Sequence, residues 1–184
     1  GLFLVFARTD AGSNGLSAFL VERDSDGLSV AKKEDKMGLR CSDTVTIDLD
    51  DVRIPADQIL GNEGEGLRIA LTALDGGRIG IAFQAIGIGQ ACLDESVQYA
   101  KVREAFGRRI GDHQHTAFKL AEMATEVELG RTFLDSLVRD HIRGKDLVQR
   151  VSMAKYWLGK MVNRVPIRRF RFIADTVTWK NTGS

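Results

Sequence analysis

Asp75 and Arg78 are an acid and a cation whose spacing could serve a binding site. They stand three residues apart, so on a helix they share one face. Gly76 and Gly77 lie between them, and small residues let another helix or a ligand approach a backbone closely. Two interpretations follow: an ordinary surface ion pair, or a charged helix face beside a bound molecule.

A second group of candidates surrounds the next break in the helical pattern. Arg103 stands near a predicted helix end, where a cation interacts favourably with the last carbonyls. Phe106 is interpreted as a core aromatic and Gln114 as a residue at the start of the following helix. His113, beside Gln114, is interpreted as structural rather than catalytic.

The sequence predicts neither a metal site nor a redox-active pair of cysteines. The three histidines form no HExxH pattern, so no metal site is predicted. Cys41 and Cys92 form no CxxC pair, which indicates reduced thiols in a cytosolic or matrix-like compartment. The formal net charge of +1 gives no reason to expect nucleic acid or an anionic membrane as a partner.

The elements that must position these residues change from strand to helix near residue 62. Alternating and apolar runs predict a buried strand at 2–7 and further strands at 17–22, 28–30 and 44–49. Residues 52–55 are predicted to be an edge piece, because Pro55 has no N–H for a ladder. Residues 10–15 and 24–27 are rich in turn formers.

Three long helices are predicted after the strands, at residues 66–103, 115–142 and 146–165, from apolar residues recurring every three or four positions. Gly107 is predicted to cap the first helix, since glycine favours the conformation at a helix end. Pro166 is predicted to end the third. Long helices with short connections indicate an antiparallel bundle.

Several strings, in order, resemble the acyl-CoA dehydrogenase family: KMGLRCSDT at 36–44, VRIP at 52–55, GNEGEG at 61–66, LDGGRIGIA at 74–82, REAFG at 103–107, HQ at 113–114 and MAKYW at 153–157. The resemblance covers residues 1–165. It implies an α+β multidomain fold: part of a middle β domain, barrel- or sandwich-like, at 1–62, then part of a C-terminal antiparallel α-helical bundle domain at 63–165.

The resemblance also implies a role for each candidate. One group would line the acyl-CoA channel: Asp75, Gly76, Gly77 and Arg78. The other would bind the cofactor FAD, often that of a neighbouring subunit: Arg103 at the pyrophosphate, Phe106 and Gln114. Arg40, Ser42 and Thr44 are interpreted as a polar loop entering a strand, and Glu63 and Glu65 as charges that favour a helix N-terminus.

The implied reaction oxidises an acyl-CoA to a trans-2-enoyl-CoA. A glutamate removes the α-proton of the thioester, and N5 of FAD accepts the β-hydride. Gly77 stands where some members carry that glutamate, and the YEG segment that supplies it in most members is missing from this sequence. No catalytic residue is therefore assigned within these 184 residues, and the chain alone is expected to be inactive.

The expected partners are an acyl-CoA substrate, electron-transferring flavoprotein and further copies of the chain in a homotetramer. The expected location is the bacterial cytoplasm or the mitochondrial matrix. Two alternatives stay open: an acyl-CoA oxidase-like flavoenzyme, and a non-catalytic helical interaction module. Signals for acyl chain length conflict, since RIGIA at 78–82 resembles short-chain members and AKYW at 154–157 resembles long-chain ones.

The two ends suggest a piece of a longer protein. The chain opens inside an apolar run without an initiator Met, and residues 166–184 depart from the family pattern. Reading codons compatible with this tail one base out of frame yields a sequence close to the family's continuation. The hypothesis is a one-base slip, which resequencing the coding DNA would test.

Overall fold

The chain divides into two compact units, Gly1–Thr72 and Ala73–Ser184. The computed structural model describes residues 1–10, 12 and 15–178, with side chains as far as Ile167. Part of the predicted turn at 10–15 and the last six positions of the tail, 179–184, lie outside the described residues.

Five strands make up the β part of the first unit: β1 (Leu2–Arg8), β2 (Leu16–Glu22), β3 (Leu28–Lys33), β4 (Val45–Leu49) and β5 (Ile59–Leu60). Among the described residues of this unit they form two antiparallel sheets, one in the order β1–β2–β5 and one pairing β3 with β4. The predicted barrel or sandwich is not confirmed.

The buried residues of the three-stranded sheet lie on its central strand, β2. Ala18 and Val21 of β2 are buried, whereas Leu2, Leu4 and Phe6 of β1 are exposed. The prediction that residues 2–7 form a buried strand is therefore wrong about burial, because β1 lies at the edge of the sheet. An apolar run shows that a strand can be buried but not which neighbours it meets.

The predicted edge piece at 52–55 is also wrong. These residues form no strand, and Pro55 instead precedes a short 3-10 helix, Ala56–Gln58, which leads into β5. The proline fits this place because its fixed φ, here −58°, suits entry into a helical turn.

A buried hydroxyl connects β2 to the loop before the first helix. Ser17 is fully buried. Its Oγ accepts a hydrogen bond from the Gly64 amide at 2.9 Å and shares another with Thr9 Oγ1 at 2.8 Å. The GNEGEG segment is thereby held against the sheet.

The remaining elements are α1 (Gly66–Val102), β6 (Glu104–Ala105), β7 (Arg108–Arg109), α2 (Gln114–Ile142) and α3 (Val148–Thr178). The predicted bounds of the first two helices are confirmed within one residue. The predicted stop of the third helix is wrong, since α3 continues through Pro166. Val165, just before it, is fully buried, so tertiary packing holds the helix up to a residue that disfavours it.

The helices pack antiparallel around one apolar core. Ion pairs join α2 to α3 in opposite chain order: Asp140 with Arg150, and Glu126 with Arg164. The core residues of the last two helices are spaced by three, four or seven positions, a spacing that places them on one face of each helix. They are Met123, Val127, Leu134 and Leu137 on α2, and Val151, Ala154, Leu158, Met161 and Val165 on α3.

Helix α1 contributes only part of its apolar surface to this core. Ala82, Ala85, Ile86 and Cys92 are buried. Other apolar side chains of α1 are exposed: Leu67, Leu71, Leu74, Ile81, Phe83 and Ile88. By length and composition α1 could cross a membrane, which is weak evidence because core helices of globular proteins meet the same criterion.

Candidate functional site

The segment between α1 and α2 forms a small hairpin. Strands β6 and β7 pair antiparallel, with Glu104 opposite Arg109 and Ala105 opposite Arg108. The Ile110 amide donates to the Arg103 carbonyl at 2.8 Å and closes the hairpin at its base. A 3-10 helix, Ile110–Asp112, then leads to the start of α2.

The turn of this hairpin has an unusual backbone. Phe106 and Gly107 have φ angles of 56° and 80°, and two positive φ angles in succession are the mark of a tight type I′ hairpin turn. The prediction that Gly107 caps α1 is wrong, because the helix has already ended at Val102. A helix C-cap and a type I′ turn both favour glycine because both require a left-handed backbone conformation. The sequence could therefore not distinguish the two.

Phe106 does not serve the core. Its side chain is 76% exposed, although large aromatics usually stabilise a fold by burial. Its positive φ costs about 1–2 kcal/mol for a residue with a Cβ. An exposed Phe in a strained turn position is poorly explained by stability alone, and such positions cluster at functional sites.

The hairpin brings the predicted cofactor residues to one end of the helices. Arg103 is half-buried at the hairpin base, Phe106 stands at its tip, and Gln114 is the exposed first residue of α2. The first turn of α2 contains no acidic residue, and His113 makes no side-chain cap. The dipole at this helix start therefore favours a negative group.

Asp75 and Arg78 form a close ion pair on α1, with Oδ1 and Nη1 2.5 Å apart. Their side chains are 29% and 30% exposed, so the pair is partly buried and still accessible. A Cβ placed on Gly76 or Gly77 would meet no atom within 4 Å. The glycines are thus not required by packing among the described residues, and the helix face between the charges is open.

The two groups of candidates are far apart within one chain. Arg78 and Arg103 are separated by 25 positions, almost all of them in α1, which corresponds to about 37 Å at the rise of an α-helix. They cannot contact the same part of one small ligand.

The loop at 36–44 leads directly into β4, as predicted, and is largely exposed. Lys36 Nζ donates to the Ser42 carbonyl, and Arg40 Nε donates to the Lys36 carbonyl at 3.0 Å. Leu39 has a positive φ of 53° within this loop. Both donors are used to hold the loop's own backbone.

Glu65 occupies the predicted place just before α1. Its carboxylate accepts from the Asn62 amide at 2.9 Å and from Arg68 at 3.0 Å. The hydrogen bond from the Asn62 backbone, with the Arg68 charge, lowers the pKa of Glu65. The side chain therefore remains ionised and closes the turn that begins the helix.

Sequence reasoning missed the contacts of His113. Its Nε2 lies 3.1 Å from the Ala105 carbonyl, and its Nδ1 faces the Arg108 guanidinium at 3.1 and 3.2 Å. The only available signal was the adjacency of His113 to Gln114, which predicts no partner. Among the described residues, no cluster of three or more His, Cys, Asp or Glu side chains could hold a metal ion.

The fold and the hairpin site define a helical-bundle domain preceded by antiparallel strands. Residues 64–168 match the acyl-CoA dehydrogenase C-terminal domain. The chain belongs to the acyl-CoA dehydrogenase family.

Individual relatives agree with this assignment. The chain is 39% identical over 167 residues to the short/branched chain specific acyl-CoA dehydrogenase of Bos taurus mitochondria, covering 90% of this chain and 39% of the relative. It is 38% identical over 164 residues to CarC, a subunit of the caffeyl-CoA reductase–Etf complex of Acetobacterium woodii, covering 88% and 43%. The structure of butyryl-CoA dehydrogenase from Megasphaera elsdenii superposes with a TM-score of 0.89 at 37% identity, covering 94% of this chain and 45% of that one.

The chain therefore spans about two fifths of the length of the curated relatives it matches. The family match begins inside the GNEGEG segment, covers α1 and α2, and extends into α3 as far as residue 168.

Proposed function

We propose that this chain is part of an FAD-dependent acyl-CoA dehydrogenase that converts an acyl-CoA to a trans-2-enoyl-CoA. The observation that carries the proposal is the hairpin between α1 and α2. Within a chain of this family, it gathers Arg103, Phe106 and Gln114 at one end of the bundle. The names of the relatives, which are acyl-CoA dehydrogenases, support the reaction class.

The residues at the hairpin fit a dinucleotide such as FAD. A guanidinium can bind two phosphate oxygens at once, a role for Arg103. The α2 N-terminus, without an acidic first turn, adds a favourable dipole for phosphate. Phe106 offers an exposed aromatic face, and the Gln114 amide can both donate and accept hydrogen bonds.

The cofactor would supply the redox step by accepting a hydride from the substrate β-carbon. The chain's own residues would bind and orient. Arg103 and Gln114 would hold the polar part of the dinucleotide, and Phe106 would exclude water beside it.

The substrate would lie along α1 beside Asp75 and Arg78. The open face at Gly76 and Gly77 leaves room for the narrow pantetheine arm of an acyl-CoA. The ion pair holds the two charged groups in one geometry, so they are oriented before a ligand arrives. The base for the α-proton is assigned by resemblance to a segment that this sequence does not contain.

We also propose that the parent protein is a homotetramer in which the hairpin binds the flavin of a neighbouring subunit. The distance along α1 between the substrate and cofactor residues supports this arrangement, as does the exposed apolar surface of α1. Electron-transferring flavoprotein is the proposed redox partner, supported by the name of the Etf-complex relative. A location in the bacterial cytoplasm or the mitochondrial matrix agrees with the bacterial and mitochondrial sources of the relatives.

FAD binding by the 184-residue chain tests the cofactor site. Calorimetric titration should show binding by the wild-type chain, a loss of about tenfold or more in affinity for Arg103→Ala, and a smaller loss for Gln114→Ala. Arg109→Ala is the matched control, because Arg109 is an exposed arginine on the same hairpin. Equal effects of the two arginine substitutions would show that any binding is a general attraction of phosphate to positive charge, and the assigned site would be wrong.

A further inference from the structure

His113 lies between two groups that together specify where its proton sits. The imidazole Nε2 is 3.1 Å from the Ala105 carbonyl oxygen, which can only accept. Its Nδ1 is 3.2 Å from Nε and 3.1 Å from Nη2 of Arg108, which can only donate. One state satisfies every contact: neutral imidazole with hydrogen on Nε2 and a free lone pair on Nδ1.

These contacts join both strands of the hairpin to the start of α2. Ala105 belongs to β6, Arg108 belongs to β7, and His113 directly precedes Gln114. The ring also meets the Phe106 ring edge to face, with centroids 6.0 Å apart and an interplanar angle of 86°. A single side chain thus contacts each strand and the tip of the hairpin.

We infer that His113 is a positioning residue: as the neutral Nε2–H tautomer it clamps the Glu104–Arg109 hairpin and so presents Phe106 beside Gln114. The inference rests on the proposed function for its consequence, flavin binding, but the clamp itself can be measured without flavin. The hairpin needs such a clamp because it has two residues in each strand and a turn with Phe in a left-handed conformation.

Protonation would open the clamp. A hydrogen on Nδ1 would face the Arg108 N–H groups, so two acceptor contacts would become donor–donor contacts beside a second positive charge. Besides Arg108 and His113, the charged or titratable groups between positions 103 and 119 are Arg103 at the hairpin base, Glu104 on β6, Arg109 on β7, Asp112 in the 3-10 helix, and His115 and Lys119 on α2.

Two substitutions separate a clamp from simple packing. His113→Gln can still donate to the Ala105 carbonyl and accept from Arg108, but it does not titrate. His113→Phe keeps an aromatic ring against Phe106 and loses both polar contacts. If the ring only packs, the Phe variant should match the wild-type chain and the Gln variant should not.

The first measurement is nuclear magnetic resonance on the 184-residue chain labelled with ¹⁵N-histidine, with His113→Gln used to assign the signal. We expect the Nε2–H tautomer at neutral pH. Exchange of the Ile110 amide, corrected for intrinsic rates, should accelerate when Nδ1 of His113 gains a proton, as reported by the same ¹⁵N signal. A proton on Nδ1, or exchange that does not follow the His113 signal, would overturn the clamp.

The variants supply the second measurement. The Ile110 amide should exchange about tenfold faster in His113→Phe, the change expected when a hydrogen bond to a charged group is lost. It should stay protected in His113→Gln at every pH. Protection retained in His113→Phe would contradict the inference. FAD titration should give the same order of variants, with weaker binding by His113→Phe than by His113→Gln. If the clamp is confirmed but the FAD affinity is equal in the two variants, the positioning role is refuted. A wild-type chain that binds no FAD would instead contradict the proposed function.

Discussion

Gly130 and Gly159 lie in the same helical bundle but have different surroundings. A Cβ on Gly130 would come within 2.6 Å of Ile86 Cδ1 and 2.7 Å of Leu158 Cδ2, whereas one on Gly159 would meet nothing within 4 Å. Gly130 thus lies where α2 packs against side chains of both α1 and α3. This use of glycine could not be read from the sequence, since both residues interrupt a helix in the same way.

The alanine substitutions should therefore act in opposite directions. Gly130→Ala should lower the free energy of unfolding by about 1–3 kcal/mol through overpacking. Gly159→Ala should raise it by about 1 kcal/mol, because alanine is the better helix former. Urea unfolding followed by circular dichroism measures both. A Gly130→Ala chain as stable as Gly159→Ala would show that the core accommodates the methyl group.

Gly77 permits a test in which stability and binding diverge. The residue is exposed and has open space around its missing Cβ, so Gly77→Ala should raise the free energy of unfolding by about 1 kcal/mol. If a pantetheine arm lies on this face, the same methyl group should weaken acyl-CoA binding. Gly87→Ala is the control, because Gly87 is another open glycine of α1. Acyl-CoA affinity that is equal in the two variants would argue against the substrate face.

At the scale of the elements, the connection between α2 and α3 is held by one carboxylate. Asp140 pairs with Lys145 at 2.7 Å and with Arg150. Arg150 also donates to Ser136 Oγ at 2.9 Å and lies over the Phe133 ring at 5.6 Å. The short connection and this network together specify the antiparallel turn.

The network makes stability depend on pH in a known direction. The hydrogen bond from Lys145 lowers the pKa of Asp140 against the opposing effect of burial, and the charges of Lys145, Arg150 and Arg143 lower it further. A lowered folded pKa means that the ionised group stabilises the fold above the ordinary aspartate pKa. That contribution is lost as the pH falls through the folded value.

Asp140→Asn should therefore reduce the melting temperature at neutral pH, and the difference from wild type should disappear in acid. Asp135→Asn, at an exposed position of the same helix, is the control and should change little. Thermal melts across an acid-to-neutral series give the comparison. A difference that persists unchanged in acid would assign the effect to packing rather than charge.

At the scale of the whole molecule, the chain contains residues assigned to binding acyl-CoA and FAD, but no residue assigned as the base that removes the α-proton. We expect the purified 184-residue chain to show no acyl-CoA-dependent dye reduction, even when FAD binds. The reason is that removal of the α-proton needs a general base within hydrogen-bonding reach. Dye reduction that depends on the thioester would overturn this expectation and direct attention to carboxylates within the chain.

The sequence by itself determined the order of the four longer strands and the three long helices, and the family. Helical periodicity located α1 and α2 within a residue of their bounds, and alternation located β2 and β4, because these patterns depend on neighbours a few positions away. The strings around Asp75, Arg103 and Gln114 indicated the family before any contact was known. Whether these residues bind acyl-CoA and FAD stays a prediction.

Only the tertiary structure decided what each element meets. It placed β1 at a sheet edge, left much of α1 exposed, continued α3 through Pro166 and made Gly107 part of a hairpin turn. It also brought His113 to Ala105 and Arg108. The physical reason is common to all of these. Burial, turn type and the protonation state of a side chain depend on which groups surround it, and that is settled by packing rather than by local pattern.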